Sequence, residues 1–232
     1  MIKNKRFQLV LLTIFSVLFI DQFVKIWVKS HALLHEVLGE FGFLKIHFIE
    51  NPGMAFGMAF GGEWGKVILS LFRVFAIIGL GFLIRNLIEN KAPKGLLISM
   101  ALIFSGALGN ILDSAFYGLM FDRGTIWDPV IQDWLGYSGV AKLNFEGYAP
   151  PLHGCVVDMI HTEFYYPDWF PFGWGGQEVF PPVFNIADSA ISIGIVIIVL
   201  FNKRFFGNSE NEFEIFKRKK PQTQIEETQV SE

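Results

Sequence analysis

Four stretches of this chain are too apolar to face water along their whole length. They run from Phe7 to about Val28, from Lys66 to Ile84, from Gly95 to Leu112, and from about Ile186 to Phe201. A helix needs about 20 residues to cross the hydrocarbon of a bilayer. All four runs reach that length or approach it. In lipid the backbone must satisfy its own polar groups, so runs of this length read as helices. The expected fold is an α-helical membrane protein with four transmembrane helices. Composition agrees: 52% of the 232 residues are hydrophobic and 16% aromatic, more than an ordinary soluble domain carries. Many of the 26 Phe and 6 Trp stand outside the apolar runs, where rings suit the membrane–water boundary.

The first run follows Lys3, Lys5 and Arg6, as a secretory signal does. It ends in "DQFVKIWVKS" with no small-residue cleavage site, so it reads as a retained helix. Basic residues orient the spans. With the N-terminus inside, the inner segments hold Lys3, Lys5 and Arg6, then Arg85, Lys91 and Lys94, then six more after span four. That is 12 of the 19 Lys and Arg. The long outer loop, 114–185, carries only Arg123 and Lys142. Both termini are therefore expected in the cytoplasm. Residues 1–206 form one membrane domain, and 207–232 a polar, disordered tail whose basic cluster reads as a topology signal or a contact for anionic lipid. The outer loops 31–65 and 114–185 are expected to hold a small β-structured extracytoplasmic region. "FGFLKIHFIE" has strand composition and "NPG" at 51–53 is a turn.

On this topology the unusual polar residues gather on one side. Asp21 is toward the outer end of span one, and Asn51 is in the first outer loop. Asn110 and Asp113 close span three, Asp158 interrupts the apolar string "CVVDMI", and Asn185 and Asp188 open span four. A transporter would place such groups deeper, on broken helices, and a pore would string them along a path. These residues instead describe a site at one interface. "SGALGN" at 105–110 supplies small residues that let helices approach closely there.

Several chemistries compete for that site. Two carboxylates sharing a proton can activate water, one as base and one as acid. Asp158, among Val156, Val157, Met159 and Ile160, and Asp188, among Ile186, Ala187 and Ala190, have the most apolar settings of the outer acids. Asp188 alone also fits a helix-start acid favoured by the macrodipole. A metal site on His153, Asp158 and His161 is the rival, but "HGCVVDMIH" is no H-E-x-x-H pattern. His31, His35 and His47 read as loop residues. Ser105 and Ser189 have no histidine at a depth that suits a base. Cys155, the single cysteine, excludes an intrachain disulfide and a cysteine-cluster metal site and reads as a small buried hydrophobe. Nothing basic and aromatic is arranged as a nucleic-acid groove. A membrane binding or transport protein that holds a cation or solute on the same acids remains the alternative from another class.

Five motifs then fall in order: "DQFVKIWV" at 21–28, "ENPGMAFGM" at 50–58, "GALGNILD" at 106–113, "VVDMI" at 156–160 and "FNIADSAISIG" at 184–194. Together they resemble the bacterial lipoprotein signal peptidases, the type II signal peptidases. The resemblance implies an intramembrane aspartic endopeptidase of the cytoplasmic (inner) membrane. Such an enzyme removes the signal peptide from diacylglyceryl-modified prolipoproteins, cutting before the lipid-bearing cysteine. It implies a catalytic dyad at Asp158 and Asp188, with Asp21, Asn51, Asn110, Asp113 and Asn185 in support. It also implies no metal or other cofactor and inhibition by globomycin-type cyclic peptides; membrane lipid is an expected partner and a monomer the expected state. The chain departs from the family in three places. Ser114 stands where an Arg often follows "GNxxD", which removes the expected salt-bridge donor. The spacings from Asp113 to Asp158 and from Asp158 to Asp188 are long, so 115–155 and 162–183 read as insertions that cap the site, reshape access to it, or serve as surface loops. Arg73, inside span two, either snorkels outward or pairs with a site carboxylate.

Overall fold

A computed structural model describes residues 4–53 and 62–206. The expected tail, 207–232, and the second half of "ENPGMAFGM" lie outside the described residues.

Helix α1, Lys5–His31, starts where the Asn4 side chain accepts the Arg6 amide, and it contains neither Gly nor Pro. Its Leu12, Phe15, Phe19 and Phe23 are exposed, a surface suited to lipid rather than water. Asp21, Lys25 and Lys29 recur every fourth residue and are all buried. That spacing keeps them on one face, turned toward the rest of the protein. After a β-hairpin come α2, Gly62–Glu89, and α3, Lys94–Leu112. The turn between them uses Lys91 at φ 55° and Pro93 just ahead of α3. Helix α3 is the central rod, with Leu96, Leu97, Met100 and Ala101 buried against Leu87 of α2 and Phe205 near the end of the described chain.

Among the described residues, three helical stretches are long and apolar enough to span a membrane: Lys5–His31, Gly65–Glu89 and Lys94–Met120. The fourth apolar helix, α5, is Ile186–Leu200, with 15 residues. At 1.5 Å per residue it covers about 22 Å, short of the roughly 30 Å hydrocarbon core. It starts at Ile186, as expected, because Asn185 is extended and closes a capping box with Asp188. The chain turns at Phe201 and resumes as a short helix, Asn202–Phe206.

Helix α3 does not stop at the expected loop. It widens into a π-turn, Asp113–Tyr117, and continues as α4, Gly118–Met120. One extra residue per turn rotates the helix beyond it, and Asp113, Ser114 and Tyr117 are all buried. The rod ends only where Phe121 is packed beneath the outer region.

At this end of the helices stand a three-stranded antiparallel sheet in the order β1 (Val37–Phe41), β2 (Leu44–Asn51), β5 (Val156–Thr162), and a separate hairpin of β3 (Ile126–Asp128) and β4 (Asp133–Leu135). Register places Asn51 opposite Val156 and Ile49 opposite Asp158, with an irregularity between Ile46 and Ile49. A second core of Val28, Phe48, Tyr117, Phe121, Val157 and Met159 fastens this sheet to the outer ends of α1 and α3. Beneath it, Lys29 and Glu50 form a buried ion pair. Glu50 also accepts from the Tyr137 hydroxyl at 2.9 Å and the Thr125 amide at 2.7 Å. The insertion 115–155 is thereby tied to the residue that precedes Asn51.

Helices α3 and α5 touch backbone to backbone. A Cβ on Gly106 would stand 2.2 Å from the Ala187 carbonyl oxygen, and one on Gly194 would stand 2.7 Å from that of Ser99. The small residues of "SGALGN" therefore allow the contact that brings the ends of the two helices together.

Candidate active site

Strand β5 carries Asp158, and α5 opens with Asn185 and Asp188. Phe184 joins them by bonding back to β5: its amide donates to the Ile160 carbonyl at 2.9 Å, and its carbonyl accepts from Ile160 at 2.7 Å. That bridge sets the start of α5 against the strand. Asn185 caps the helix by accepting the Asp188 amide at 3.0 Å, while the Asp188 carboxylate accepts the Asn185 amide at 3.2 Å. The cap is thus local structure and site at once.

Two amide side chains connect the two acids. Asn185 Nδ2 donates to Asp158 Oδ1 at 2.6 Å and to Asn110 Oδ1 at 3.0 Å. Asn110 Nδ2 donates to Asp188 Oδ1 at 2.8 Å. Asn51 Nδ2 donates to the other oxygen of Asp158 at 3.2 Å, and Asn51 Oδ1 accepts the Gly53 amide at 2.9 Å. Asp158 is 3% exposed. Burial, then the nearby charge of Asp188, pushes its carboxyl up to about 7, the behaviour of two acids that cannot both ionise freely.

A second layer holds Asn110 in place. Lys25 Nζ donates to Asn110 Oδ1 at 2.9 Å and pairs with Asp21 at 3.0 Å and Asp113 at 2.8 Å. An ammonium has three protons, and these three acceptors use them. Asp21 also accepts the Ala187 amide at 2.9 Å, so α1 grips the first turn of α5. Asp113 accepts from Gln22 Nε2 at 2.8 Å and the Val157 amide at 3.3 Å, so the π-turn grips β5. Tyr117 closes the network by donating to Gln22 at 3.2 Å.

All seven residues singled out from the sequence (Asp21, Asn51, Asn110, Asp113, Asp158, Asn185 and Asp188) belong to this one network. It gathers at one end of the helices, not along them, unlike the path a transporter or pore would need. Sequence reasoning missed Gln22, Lys25, Lys29 and Glu50. The signal for Lys25 was its place four residues from both Asp21 and Lys29 inside an apolar helix. The salt bridge put in doubt by Ser114 is made from elsewhere: Asp113 pairs with Lys25, and Ser114 Oγ donates to the Asn110 carbonyl at 3.2 Å.

The remaining candidates separate from the site. Asp158 and His161 are three apart on a strand and face opposite sides; His161 Nε2 lies 2.7 Å from Glu178 Oε1. Among the described residues no group of three His, Cys, Asp or Glu could hold a metal ion. Cys155 is buried beside Lys66, and burial pushes its thiol up to about 11. Its Sγ accepts from Lys66 Nζ at 3.4 Å and donates to the Thr125 carbonyl at 3.2 Å, the setting of a buried, protonated thiol. Arg73 of α2 is half-buried. A Cβ on Gly53 would be 3.8 Å from its Nη1, and its charge interacts with Asp188 and Asp158. Arg73 is therefore near enough for its charge to act on the site carboxylates.

Beside Asp158 lies a cleft of about 570 Å³. Ile49, Asn51 and Pro52 line it from the end of β2, and Val179–Val183 line it from the second insertion.

The profile of the family described as Signal peptidase (SPase) II matches residues 13–203. The chain belongs to the signal peptidase II family. It is 39% identical over 191 residues to a lipoprotein signal peptidase of Porphyromonas gingivalis, covering 79% of this chain and 77% of that one. It is 34% identical over 189 residues to a lipoprotein signal peptidase of Amoebophilus asiaticus, covering 78% and 72%. A solved bacterial membrane enzyme superposes with a TM-score of 0.50 at 21% identity, covering 87% of this chain and 92% of that one, a likeness of fold. This signal peptidase II homologue is a bacterial membrane protein and a peptidase by family.

Proposed function

We propose that this protein is the aspartic endopeptidase that removes signal peptides from diacylglyceryl-modified prolipoproteins. The cut falls immediately before the lipid-bearing cysteine, at the outer leaflet of the inner membrane. Asp158 and Asp188 form the dyad, and Asp21, Asn51, Asn110, Asp113 and Asn185 position it. Residues 1–206 are the working domain, both termini are cytoplasmic, and one chain suffices. Its surface meets membrane lipid, and globomycin-type cyclic peptides inhibit it.

The single observation that carries the reading is the amide chain Asp158–Asn185–Asn110–Asp188. It holds two carboxylates in reach of each other's charge with a single-proton economy. Burial and the Asp188 charge push the Asp158 carboxyl up to about 7, which favours Asp158 as the acid and Asp188 as the base. Asp188 takes a proton from water as the water oxygen attacks the scissile carbonyl carbon. Asp158 gives its proton to the carbonyl oxygen. The diol collapses as one hydroxyl returns its proton to Asp158 and C=O re-forms, the C–N bond breaks, and the cysteine nitrogen leaves with the proton held by Asp188. The products are a signal peptide with a free carboxylate and a lipoprotein that begins at cysteine. Because the pair titrates jointly, its apparent pKa values belong to both acids.

The test is Asp158→Asn and Asp188→Asn in the full chain, scored on a lipidated prolipoprotein. Each variant is expected to insert and fold yet cleave at least 10³-fold more slowly, in line with loss of an acid–base partner. Wild-type rates in either variant refute the dyad.

A further inference from the structure

The second insertion does more than cover surface. Its last five residues, Val179–Val183, are apolar and line the cleft beside Asp158. The segment is braced at both ends. The Val179 amide donates to the Phe164 carbonyl at 2.6 Å, and Phe184 is bonded on both sides to Ile160. His161 Nε2 of β5 lies 2.7 Å from Oε1 of Glu178, one residue earlier. Between the braces, Pro181 and Pro182 fix the backbone and offer no N–H. The result is a stiff wall, with Val179 44% and Phe180 42% exposed. Glu50 also lines the cleft, but its carboxylate is committed to Lys29, Tyr137 and Thr125. The cleft therefore offers apolar surface that leads to Asn51 and Asp158.

The position of the cleft limits its occupant. Among the described residues its lining comes from β2, Pro52, β5 and the insertion, with none from α1, α3 or α5. A signal peptide and an acyl chain belong among the helices, in hydrocarbon. The polypeptide beyond the lipid-bearing cysteine leaves toward water, past the sheet. We infer that Val179–Val183 is a specificity-determining wall that receives apolar side chains of the first two residues after that cysteine. This rests on the peptidase reading above. A stiff apolar surface lowers the ordering cost of binding, and one well-placed apolar group discriminates by about 10- to 200-fold.

The experiment uses the full chain in detergent with synthetic diacylglyceryl peptides. Their first two residues after cysteine are Leu-Leu, Ser-Ser or Asp-Asp, and a further pair differs only in acyl length. The wild type is expected to prefer Leu-Leu over Asp-Asp at least tenfold in kcat/KM. In Phe180→Ser the KM for Leu-Leu rises about tenfold and the preference falls below threefold. Phe172→Ser, in the same insertion but outside the cleft lining, keeps the preference and shows that the insertion still folds. Equal cleavage of all three peptides by the wild type refutes the inference alone. So does a Phe180→Ser variant that alters acyl-length discrimination instead. A wild type that cleaves none of the peptides refutes the peptidase reading and this inference with it.

Discussion

Lys25→Met removes the cation at the centre of the site. The side chain is wholly buried, as are those of Asp21 and Asp113. Methionine has similar length and keeps the packing, so the change isolates the charge. Three contacts vanish: those to Asp21 at 3.0 Å, Asp113 at 2.8 Å and Asn110 at 2.9 Å. Both carboxylates keep neutral donors, Asp21 from the Ala187 amide and Asp113 from Gln22 and the Val157 amide. Two acids then face each other in a buried space with no positive charge. Breaking a buried pair by removing one partner costs about 3–5 kcal/mol. Here one cation serves two anions, so the upper half of that range applies. The activity also falls, because Asn110 Oδ1 loses one of its two donors and keeps only Asn185 to hold its amide toward Asp188. The assay is urea unfolding in mixed micelles, read beside cleavage rate. Lys25→Met with Asp113→Asn removes one charge of each sign and is expected to recover at least half the lost stability. A loss below about 1 kcal/mol in the single variant, or a double variant no better than it, refutes the view that Lys25 neutralises this cluster.

The same geometry sets other outcomes. Asp158 must hold a proton to act as the acid, so kcat/KM falls as pH rises through about 7, by about tenfold per unit on the basic limb. The linkage has the same sign for stability. The folded carboxyl is raised, so its stabilising contribution is complete below the ordinary carboxylate range and lost as pH rises through about 7; Asp158→Asn flattens that dependence in thermal midpoints. Gly106→Val places a Cβ 2.2 Å from the Ala187 carbonyl oxygen and forces α3 and α5 apart. Overpacking of this kind costs about 1–3 kcal/mol, and cleavage is expected to drop more than tenfold while membrane insertion persists.

The helices were legible because lipid leaves a chain few ways to satisfy its backbone. Long apolar runs announced α1, α2 and α3, and "SGALGN" announced a close helix contact. Asp158 and Asp188 were visible because acids in apolar strings are costly. The π-turn was not legible: nothing local in "DSAFY" separates it from the loop expected at Ser114. Its cause is the burial of Ser114 and Tyr117 under the sheet, a tertiary effect. Gln22 and Glu50 stayed hidden for the same reason, since their partners come from distant segments. Lys25 and Lys29 were partly legible, because an i, i+4 run of charges within an apolar helix points to partners. The wall at Val179–Val183 depends on Phe184 bonding back to Ile160, a long-range register that alternation of residue types does not specify.

The most direct measurement is the new N-terminus. Purified protein is incubated with a diacylglyceryl-modified prolipoprotein and with its unlipidated form, and the products are read by mass spectrometry. The account predicts one cut in the lipidated substrate, directly before the modified cysteine, and none in the Asp188→Asn variant. A cut elsewhere, or equal cleavage of the unlipidated form, would contradict it.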